Sequence, residues 1–344
     1  MAFRLGKQTI KLERPVAVSA ASSIVGTKES EGPLSGYFDV HMPDAEWGEN
    51  TWEKCESKMQ REAAKLAIQK SGETSDDIDI VFAGDLLNQC ISSGFSAREL
   101  RIPFYGLYGA CSTMVEGLSL GAVIVDGGGA DKVLAVASSH FCTAERQYRN
   151  PLEYGGQRTP TAQWTVTGAG AAVLKGCAEN DNSGGPYITH VTTGKVIDFG
   201  VTDANNMGGA MAPAACDTLL AHFADTGRKP EDYDLILTGD LGKVGREVLI
   251  NLLETENYDM RNNYNDTGCM MFDFEKQDVH AGGSGCGCVA ATFCGYVYKM
   301  LKEKKLNRVL IVGTGALLSP TSSFQGESVP GIAHAVAISN ELQI

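Results

Sequence analysis

The sequence has 344 residues, of which 43% are hydrophobic and 21% charged, a composition typical of a globular protein with a large core. Its formal net charge of −13 argues against nucleic acid or an anionic membrane as a direct partner. No apolar run approaches the roughly 20 residues that span a bilayer, and the N-terminus has no signal-peptide pattern, so we expect a cytoplasmic protein with reduced cysteines and no membrane insertion.

The first predicted elements are a helix and a strand that recur later in the chain. A helical pattern over residues 51–72 leads to "DDIDIVFAGDL" at 76–86, and a second one over 211–227 leads to "EDYDLILTGDL" at 231–241. Each helical pattern ends at a glycine, which is a common residue at a helix C-terminus. The apolar core of each following segment predicts a buried strand.

A second helix and strand follow in the same order. A helix that begins near Cys111 leads to "DKVLAVASS" at 131–139, and the glycine-rich segment from His280 onward leads to "NRVLIVGTG" at 307–315. The same kinds of element therefore recur in both parts of the chain. This self-similarity indicates an internal duplication.

A final strand is predicted in each part, at 168–176 and at 331–339. Each half then has the order strand, helix, strand, helix, strand, strand. One half alone cannot cover both faces of its sheet, whereas two halves packed through their central helices bury those faces. We therefore predict a layered α/β protein with an N-terminal half at 1–185, which contains Cys111, and a C-terminal half at 186–344, which contains His280.

Cys111 lies at the predicted start of the central helix of the first half. Ser112 and Thr113 are candidate capping residues, and a helix N-terminus lowers the pKa of a thiol and favours the thiolate. On this interpretation Cys111 is a nucleophile. The alternative is a small buried core residue, which is the commonest role of a free cysteine.

An internal α/β duplication with a cysteine at the start of a central helix resembles the thiolase and ketoacyl-synthase superfamily. The resemblance implies a five-layered α-β-α-β-α fold, usually a homodimer, with the active site where the two halves meet. In this sequence "GACSTM" matches the nucleophile motif at Cys111. The segment "VHAGGSGCG" resembles the histidine motif and has His280 in the catalytic position.

Two further motifs of that superfamily are altered. The segment "IVGTGALLSP" has Gly313 where a second cysteine acts as acid and base, and "LTGDLGKVG" has Gly239 followed by Asp240 where an asparagine is expected. An aspartate beside an oxyanion hole repels developing negative charge. Without the second cysteine, no group is evident to deprotonate an acceptor carbon. The resemblance therefore implies a retained pocket without the reaction machinery.

Three segments are similar to the stage V sporulation protein AD family of endospore-forming bacteria: "AGDLLNQ" at 83–89, "YGLYGACSTM" at 105–114 and "DANNMGGAMAPAACDT" at 203–218. This resemblance implies a non-catalytic protein that binds dipicolinic acid (pyridine-2,6-dicarboxylate) and supports its uptake into the developing spore. The alternative is an acyl-CoA thiolase or ketoacyl synthase in which Cys111 accepts the acyl group and His280 is its base.

The same resemblance implies partners and a location. The expected partners are dipicolinic acid, membrane proteins of the same sporulation operon and a second copy of the chain in a homodimer. The protein would then associate peripherally with the forespore or spore inner membrane through those partners. No cofactor and no metal site are expected, and Ca²⁺ would enter only as a chelate of the ligand.

Dipicolinate requires a flat slot for its ring and hydrogen-bond donors for two carboxylates. The candidate ligand-binding residues lie at helix starts and in predicted loops: Cys111, His280, His140, Asp85, Asn88, Gln89, Asn206, Gly208 and Asp240. His140 can equally be a satisfied, half-buried histidine. Because the chain is strongly acidic, the pocket is expected to be locally positive or to receive the neutral calcium chelate.

Three arginines in one predicted loop, Arg146, Arg149 and Arg158, can clamp carboxylates, and the loop can act as a lid. The alternative is a solvated connection between strands, which is the more common state of a charged loop.

Overall fold

The computed structural model describes residues 3–148, 157–177 and 185–341. The strands of these residues are β1 Phe3–Arg4, β2 Thr9–Val25, β3 Val40–His41, β4 Ile80–Gly84, β5 Phe104–Gly106, β6 Lys132–Ser139, β7 Trp164–Thr165, β8 Gly168–Gly176, β9 Tyr187–Thr192, β10 Leu235–Thr238, β11 Tyr264–Asp266, β12 Gly283–Ser284, β13 Arg308–Ala316 and β14 Gly331–Ser339. The helices are α1 Trp52–Ser71, α2 Ile91–Leu100, α3 Thr113–Asp126, α4 Phe141–Tyr148, α5 Met207–Thr226, α6 Gly242–Thr255, α7 Thr267–Met270, α8 Cys286–Thr292, α9 Tyr298–Lys302 and α10 Pro320–Phe324. A π-helical stretch, Phe293–Val297, joins α8 to α9.

The strand order shows the duplication directly. Twelve of the described strands form one sheet with the main order β11-β10-β13-β14-β9-β2-β8-β6-β4-β5, and the short β1 and β3 attach to β2. Reading outward from the antiparallel β9–β2 junction, each side has two antiparallel pairings followed by two parallel ones. The two sides are therefore equivalent, with β2 matching β9 and β5 matching β11. The exact boundary at 185/186 stays a prediction.

The helices complete five layers. Helix α1 packs on β2, β8 and β6 with α2 beside it, and α5 packs on β14 and β13 with α6 beside it. Helix α3 lies in the middle layer, where it contacts β4 and β6 of one half and β13 and β14 of the other. Helix α8, its counterpart, packs on β8 and β6. The predicted α-β-α-β-α architecture is confirmed.

Helix α3 is held in the middle layer by its apolar side chains. Met114, Val115, Leu118 and Val125 are fully buried, and burying one such side chain contributes about 1.5–3 kcal/mol relative to leaving it exposed. A Cβ added at Gly121 would lie 2.9 Å from side-chain atoms of both β6 and β8. Glycine therefore lets the helix approach the sheet closely at that position.

The predicted outer helices are confirmed, with one correction. Helix α1 is capped by Thr51, whose side chain accepts a hydrogen bond from the Lys54 amide, and it ends at Gly72 with φ +76°. Helix α5 begins at Met207 and not at Met211, because the Asn206 side chain accepts from the Gly209 amide and starts the helix one turn earlier. Strands β8 and β14 have the predicted bounds. The opening strands β2 and β9 were expected from the predicted order without bounds, whereas β5 and β11 were not predicted.

Candidate functional site

Cys111 lies in a short turn, Ala110–Ser112, directly before α3. Ala110 has a positive φ of +51°, so the backbone is strained where it turns into the helix. The expected caps are wrong, because Ser112 Oγ donates to Gly109 O at 2.7 Å and Thr113 Oγ1 donates to Ala110 O at 2.6 Å. Both hydroxyls therefore tighten the turn and leave the helix amides uncapped. The Cys111 side chain itself is buried.

Asp240 is the centre of a buried hydrogen-bond network beside Cys111. Its Oδ1 accepts a 2.7 Å hydrogen bond from Thr314 Oγ1, and its Oδ2 accepts from Ser284 Oγ at 2.7 Å and from the Gly285 amide at 3.1 Å. Cys111 Sγ lies 3.9 Å from Ser284 Oγ. Because Ser284 gives its proton to Asp240, the thiol is the donor in that weak contact. Burial raises the pKa of the Asp240 carboxyl.

The environment of Cys111 opposes ionisation. Burial raises the pKa of its thiol well above the ordinary value, and the negative charge of Asp240 raises it further. The expectation that the helix N-terminus favours the thiolate is therefore wrong. Desolvation and a neighbouring carboxylate outweigh the helix dipole, whose effect is confined to the first turn.

Strand β13 packs directly against the Cys111 turn. A Cβ built on Gly313 would lie 2.8 Å from the Cβ of Val115 and 3.1 Å from Ser112 O. A Cβ on Gly315 would lie 2.6 Å from Gly109 O. The space that a side chain at position 313 would need is thus filled by Val115 of α3. The glycines of "IVGTGALLSP" let the two halves meet at van der Waals distance.

A second buried polar network contains Asp85 and Glu56. Asp85 accepts hydrogen bonds from the Leu87 amide, the Ser93 amide and the Ser93 hydroxyl at 2.6–2.8 Å. Glu56 accepts from Ser138 Oγ at 3.2 Å and from Thr143 Oγ1 at 2.7 Å. Burial, followed by the charge of Asp85, raises the pKa of Glu56 to about 8. Glu56 is therefore largely protonated at neutral pH.

Cys286 lies between the two networks. Its Sγ donates to Ala110 O at 3.0 Å, next to Cys111. After burial, the charges of Asp85 and Asp240 raise the pKa of the Cys286 thiol. The first turn of α8, like that of α3, therefore faces carboxyl groups.

Asn88 and Gln89, unlike Asp85, lie at the surface. The Asn88 amide donates to Gln147 Oε1 at 2.9 Å, and Tyr108 Oη donates to Asn88 Oδ1 at 3.3 Å. A shallow open cavity of about 270 Å³ lies here, and its lining residues are Glu53, Leu87, Asn88, Ile91, Thr143, Arg146 and Gln147. The structure therefore separates Asp85, which is inside the protein, from the two amides that follow it.

His140 is a satisfied, buried histidine. Its Nδ1 accepts a 3.2 Å hydrogen bond from the Cys142 amide, so its Nε2 carries the proton and donates to Ala45 O at 2.8 Å. Burial lowers the pKa of its imidazole. Both ring nitrogens are used, and His140 fixes the 41–50 loop to the end of β6.

Asn206 and Gly208 belong to the outer helix layer. Asn206 caps α5, and a Cβ on Gly208 would lie 2.2 Å from Leu241 O and 3.1 Å from the Gly245 amide. Gly208 is therefore needed where α5 and α6 cross. These contacts give both residues a structural role at this end of α5.

His280 is exposed and does not bond to Cys111 in the described residues. Its Nδ1 bonds to Thr159 O at 2.7 Å and its Nε2 lies 3.1 Å from Asp278 Oδ1. His280 has a positive φ of +49°, which turns the backbone between the exposed Asp278 and the buried Ser284. The structure therefore does not place His280 as the base of Cys111.

The two described arginines of the predicted clamp have different partners. Arg146 forms an ion pair with Glu53 and lies over the Trp52 ring, and Arg149 lies outside the described residues. Arg158 binds Asp278 through two hydrogen bonds from Nη2, at 3.0 Å to the backbone oxygen and 2.8 Å to Oδ2. Of the pair that the structure describes, only Arg158 lies beside His280.

Several residues of these clusters were missed in the sequence. Thr314 completes the Asp240 network, and Lys28, Trp164 and Asp278 surround Arg158 and His280. Lys28 and Asp278 are 250 positions apart. No local spacing connects them, so no sequence motif marks the group. Of these residues, only Thr314 lies in a motif already noted in the sequence, "IVGTGALLSP".

The described part of the chain contains no helix long and apolar enough to cross a membrane. Within those same ranges, no group of three or more His, Cys, Asp or Glu side chains is arranged to hold a metal ion.

Comparisons with known proteins identify the family of the chain. Residues 6–339 match the family described as stage V sporulation protein AD. The chain is 46% identical over 331 residues to stage V sporulation protein AD of Bacillus subtilis (strain 168), covering 96% of each sequence. The chain belongs to the stage V sporulation protein AD family. It is a sporulation protein, and the resemblance found in its sequence motifs is confirmed.

Solved structures with low sequence identity share the fold. The 3-oxoacyl-[acyl-carrier-protein] synthase III from Aquifex aeolicus VF5 has a TM-score of 0.57 at 14% identity, covering 94% of this chain and 99% of its own. Xanthomonas campestris OleA with bound lauric acid and lauroyl-CoA has a TM-score of 0.59 at 13% identity, covering 95% and 100%. The chain therefore shares a thiolase-like fold with these proteins, and fold alone does not transfer their chemistry.

Proposed function

We propose that this protein binds dipicolinate without transforming it and supports the uptake of dipicolinate or its calcium chelate into the developing spore. The observation that carries the proposal is the buried Asp240 network beside Cys111. Acyl transfer places negative charge on the thiolate and on the developing oxyanion. A carboxylate that is linked to the thiol through Ser284 opposes both.

The geometry at position 313 supports the same conclusion. An acid/base side chain at Gly313 would overlap Val115, so the retained interface has no room for the group that a thiolase uses there. His280, the remaining candidate base, is bonded to Thr159 and Asp278. A binding role requires none of these groups to move a proton.

We further propose that the protein acts as a homodimer and reaches the forespore or spore inner membrane through the membrane proteins of its operon. The outermost strand β5 is exposed along its length. Exposed apolar side chains lie on β5, at Phe104 and Tyr105, and on the neighbouring segments, at Ile91, Phe95 and Tyr108. An edge strand with exposed aromatic residues is suited to pairing with a second copy.

A calorimetric titration tests the binding function. The purified protein is titrated with dipicolinate in the presence and absence of Ca²⁺, with acetyl-CoA as the comparison ligand. We expect saturable binding of dipicolinate, no binding of acetyl-CoA, and retained dipicolinate binding in the Cys111→Ser variant. Binding of acetyl-CoA alone, with acylation of Cys111, would instead establish an acyltransferase. Binding of neither ligand would leave a structural scaffold and refute the proposal.

A further inference from the structure

The two halves of the chain differ in the segments that follow β2 and β9. Because β9 matches β2 and α5 matches α1, residues 193–206 are the counterpart of residues 26–51. The first-half segment is nearly twice as long and buries an aromatic residue, Phe38, which is 6% exposed. The shorter second-half segment leaves Val196 57% exposed and Phe199 68% exposed. The second half therefore lacks the longer segment that the first half has at this place, and its apolar side chains face outward.

The segments before the final strand of each half differ in the same way. Residues 317–330 join β13 to β14, whereas residues 140–167 join β6 to β8 and form a segment twice as long. Phe324 lies at the end of α10 in the shorter segment and is 86% exposed. That is the highest exposure of any large hydrophobic side chain in the described ranges. Both shortened segments of the second half therefore present aromatic surface to the solvent.

Hydrogen bonds join the two shortened segments into one surface. Ile197 and Gly331 exchange two backbone hydrogen bonds, of 2.9 and 2.8 Å, and Ser328 Oγ donates to Asp198 Oδ2 at 2.5 Å. The Ile197 side chain packs against the core of the second half. The backbone next to Phe199 is therefore held in place by bonds and by packing. Exposed apolar side chains with a polar rim are typical of protein-interaction sites.

The charges of this surface are acidic. Lys195 is the only basic residue of the two segments, and its Nζ is held by both carboxylate oxygens of Asp217 at 3.0 and 3.2 Å. The remaining carboxylates are exposed and form no ion pair with any described residue. We call the three apolar side chains and these carboxylates the acidic aromatic face, namely Val196, Phe199, Phe324, Asp198, Asp203 and Glu327.

The charge of the acidic aromatic face selects among possible occupants. A second copy of the chain docked by the same face would bring carboxylates against carboxylates, because a twofold contact places the same patch on both sides. An anionic lipid surface is repelled for the same reason. A polypeptide segment with apolar side chains and flanking lysines or arginines has the complementary chemistry, since opposite potentials across an interface favour association.

We infer that the acidic aromatic face is a docking surface for an apolar segment of a protein partner that carries lysines or arginines. The inference rests on the proposed function, in which the partners are membrane proteins, because cytoplasm-facing segments beside a membrane span have an excess of these two residues. Apolar side chains of the segment would cover Phe199 and Phe324. Its cationic groups would pair with the exposed carboxylates that have no ion pair.

Photocrosslinking in sporulating cells tests the inference on the full-length protein. The photoreactive residue benzoylphenylalanine replaces Phe324 in one variant and Lys65 in the control, since Lys65 lies on α1 with a side chain that is 52% exposed. After irradiation, mass spectrometry identifies the protein and the peptide that are attached. We expect position 324 to capture a membrane protein through a segment that contains lysine or arginine, and position 65 not to capture it.

A charge reversal tests the electrostatic part of the inference. Glu327→Lys places a cation in the acidic aromatic face, so we expect the crosslinking yield at position 324 to fall at least about fivefold, as for the loss of an anchoring contact. Asp76→Lys makes the same change of charge at an exposed aspartate of the first half and should leave the yield unchanged. An equal loss in both variants would reflect net charge alone and would overturn the inference.

The outcomes separate the docking surface from the binding function. Capture of a second copy of this chain, of a protein through an acidic segment, or of nothing above the yield at position 65 overturns the docking surface. Titration with dipicolinate is independent, because the acidic aromatic face shares no residue with the candidate ligand-binding residues, and Glu327→Lys should bind as the wild type does. Dipicolinate binding without the crosslink refutes the docking surface alone. The crosslink without dipicolinate binding refutes the binding function alone.

Discussion

The Ser284 hydroxyl donates a 2.7 Å hydrogen bond to Asp240 Oδ2, and the same Ser284 oxygen lies 3.9 Å from the Cys111 sulfur. Ser284 therefore cannot act as a donor to a thiolate without giving up its bond to a carboxylate. A charge-assisted hydrogen bond is about twice as strong as a neutral one. The resting arrangement thus stabilises Cys111 as a neutral thiol.

This relationship predicts a weakly reactive Cys111. Since burial and Asp240 raise the pKa of the thiol, we expect iodoacetamide at about pH 8 to alkylate Cys111 at least ~tenfold more slowly than a free cysteine. Asp240→Asn removes the negative charge, lowers the thiol pKa and should speed the reaction. Mass spectrometry of the Cys111 peptide over time measures both rates. Asp76→Asn, at an exposed aspartate, is the control, and a Cys111 that reacts like a free thiol would contradict the argument.

The close contact of β13 with α3 predicts a specific coupling between Gly313 and Val115. Gly313→Cys should destabilise the protein by about 1–3 kcal/mol, because its Cβ would lie 2.8 Å from that of Val115. Val115→Ala keeps the Cβ of Val115 but removes its Cγ2, which would lie at the same 2.8 Å from the new Cβ. Adding Val115→Ala should therefore recover part of that loss, with a coupling free energy of about 1 kcal/mol in a double-mutant cycle. Urea unfolding measures each free energy. Gly36→Cys is the control, since a Cβ there meets nothing within 4 Å, and additive effects of the two substitutions would refute the contact.

Much of the fold could be predicted because its signals are local. The strands 168–176 and 331–339 are runs of mainly small and apolar residues, and α1 is bounded by a threonine cap and a glycine in the left-handed region. The bounds of strand β2 were missed because its first seven residues, "TIKLERP", include three charged residues and a proline. Strands β5 and β11 have three residues each. Such short strands are defined by their parallel neighbours and carry no pattern of their own.

The site was predictable only in part, because its contacts join distant segments. Cys111 and Asp240 were both recognised, yet their link through Ser284 depends on how β12 lies against the Cys111 turn. His280 lies four residues from Ser284 but faces outward. Its position follows from a positive φ at His280, which the residue type does not indicate. The contacts of Lys28 with Asp278 span 250 positions and had no sequence signal.

The buried Glu56 predicts a stability that falls as the pH rises. The pKa of Glu56 is raised from 4.5 to about 8, first by burial and then by Asp85. Between these values the unfolded chain has lost the proton while the folded protein keeps it, so the free energy of unfolding decreases up to about pH 8. Glu56→Gln cannot ionise, and its stability relative to the wild type should therefore rise by on the order of 3 kcal/mol from about pH 5 to about pH 8.

Chemical unfolding at several pH values measures this difference. The comparison with the wild type is needed because His190 and His222, whose pKa values burial lowers to about 3, act in the opposite direction below their ordinary pKa. Both histidines are unchanged in the variant, so their effect cancels. Glu62→Gln, a partly exposed residue of the same helix, should show no such rise. If the difference in the free energy of unfolding between Glu56→Gln and the wild type does not change with pH, then Glu56 is ionised in the folded protein.

The exposed face of α2 and β5 predicts a dimer that a single charge disrupts. Phe95 is 47% exposed and Tyr105 is 59% exposed, so both are available to a second copy. We expect light scattering to give twice the mass of one chain for the wild type and the mass of one chain for Phe95→Asp. Phe324→Asp, at an 86% exposed residue of α10, is the control and should remain dimeric. A monomeric wild type would refute this assembly.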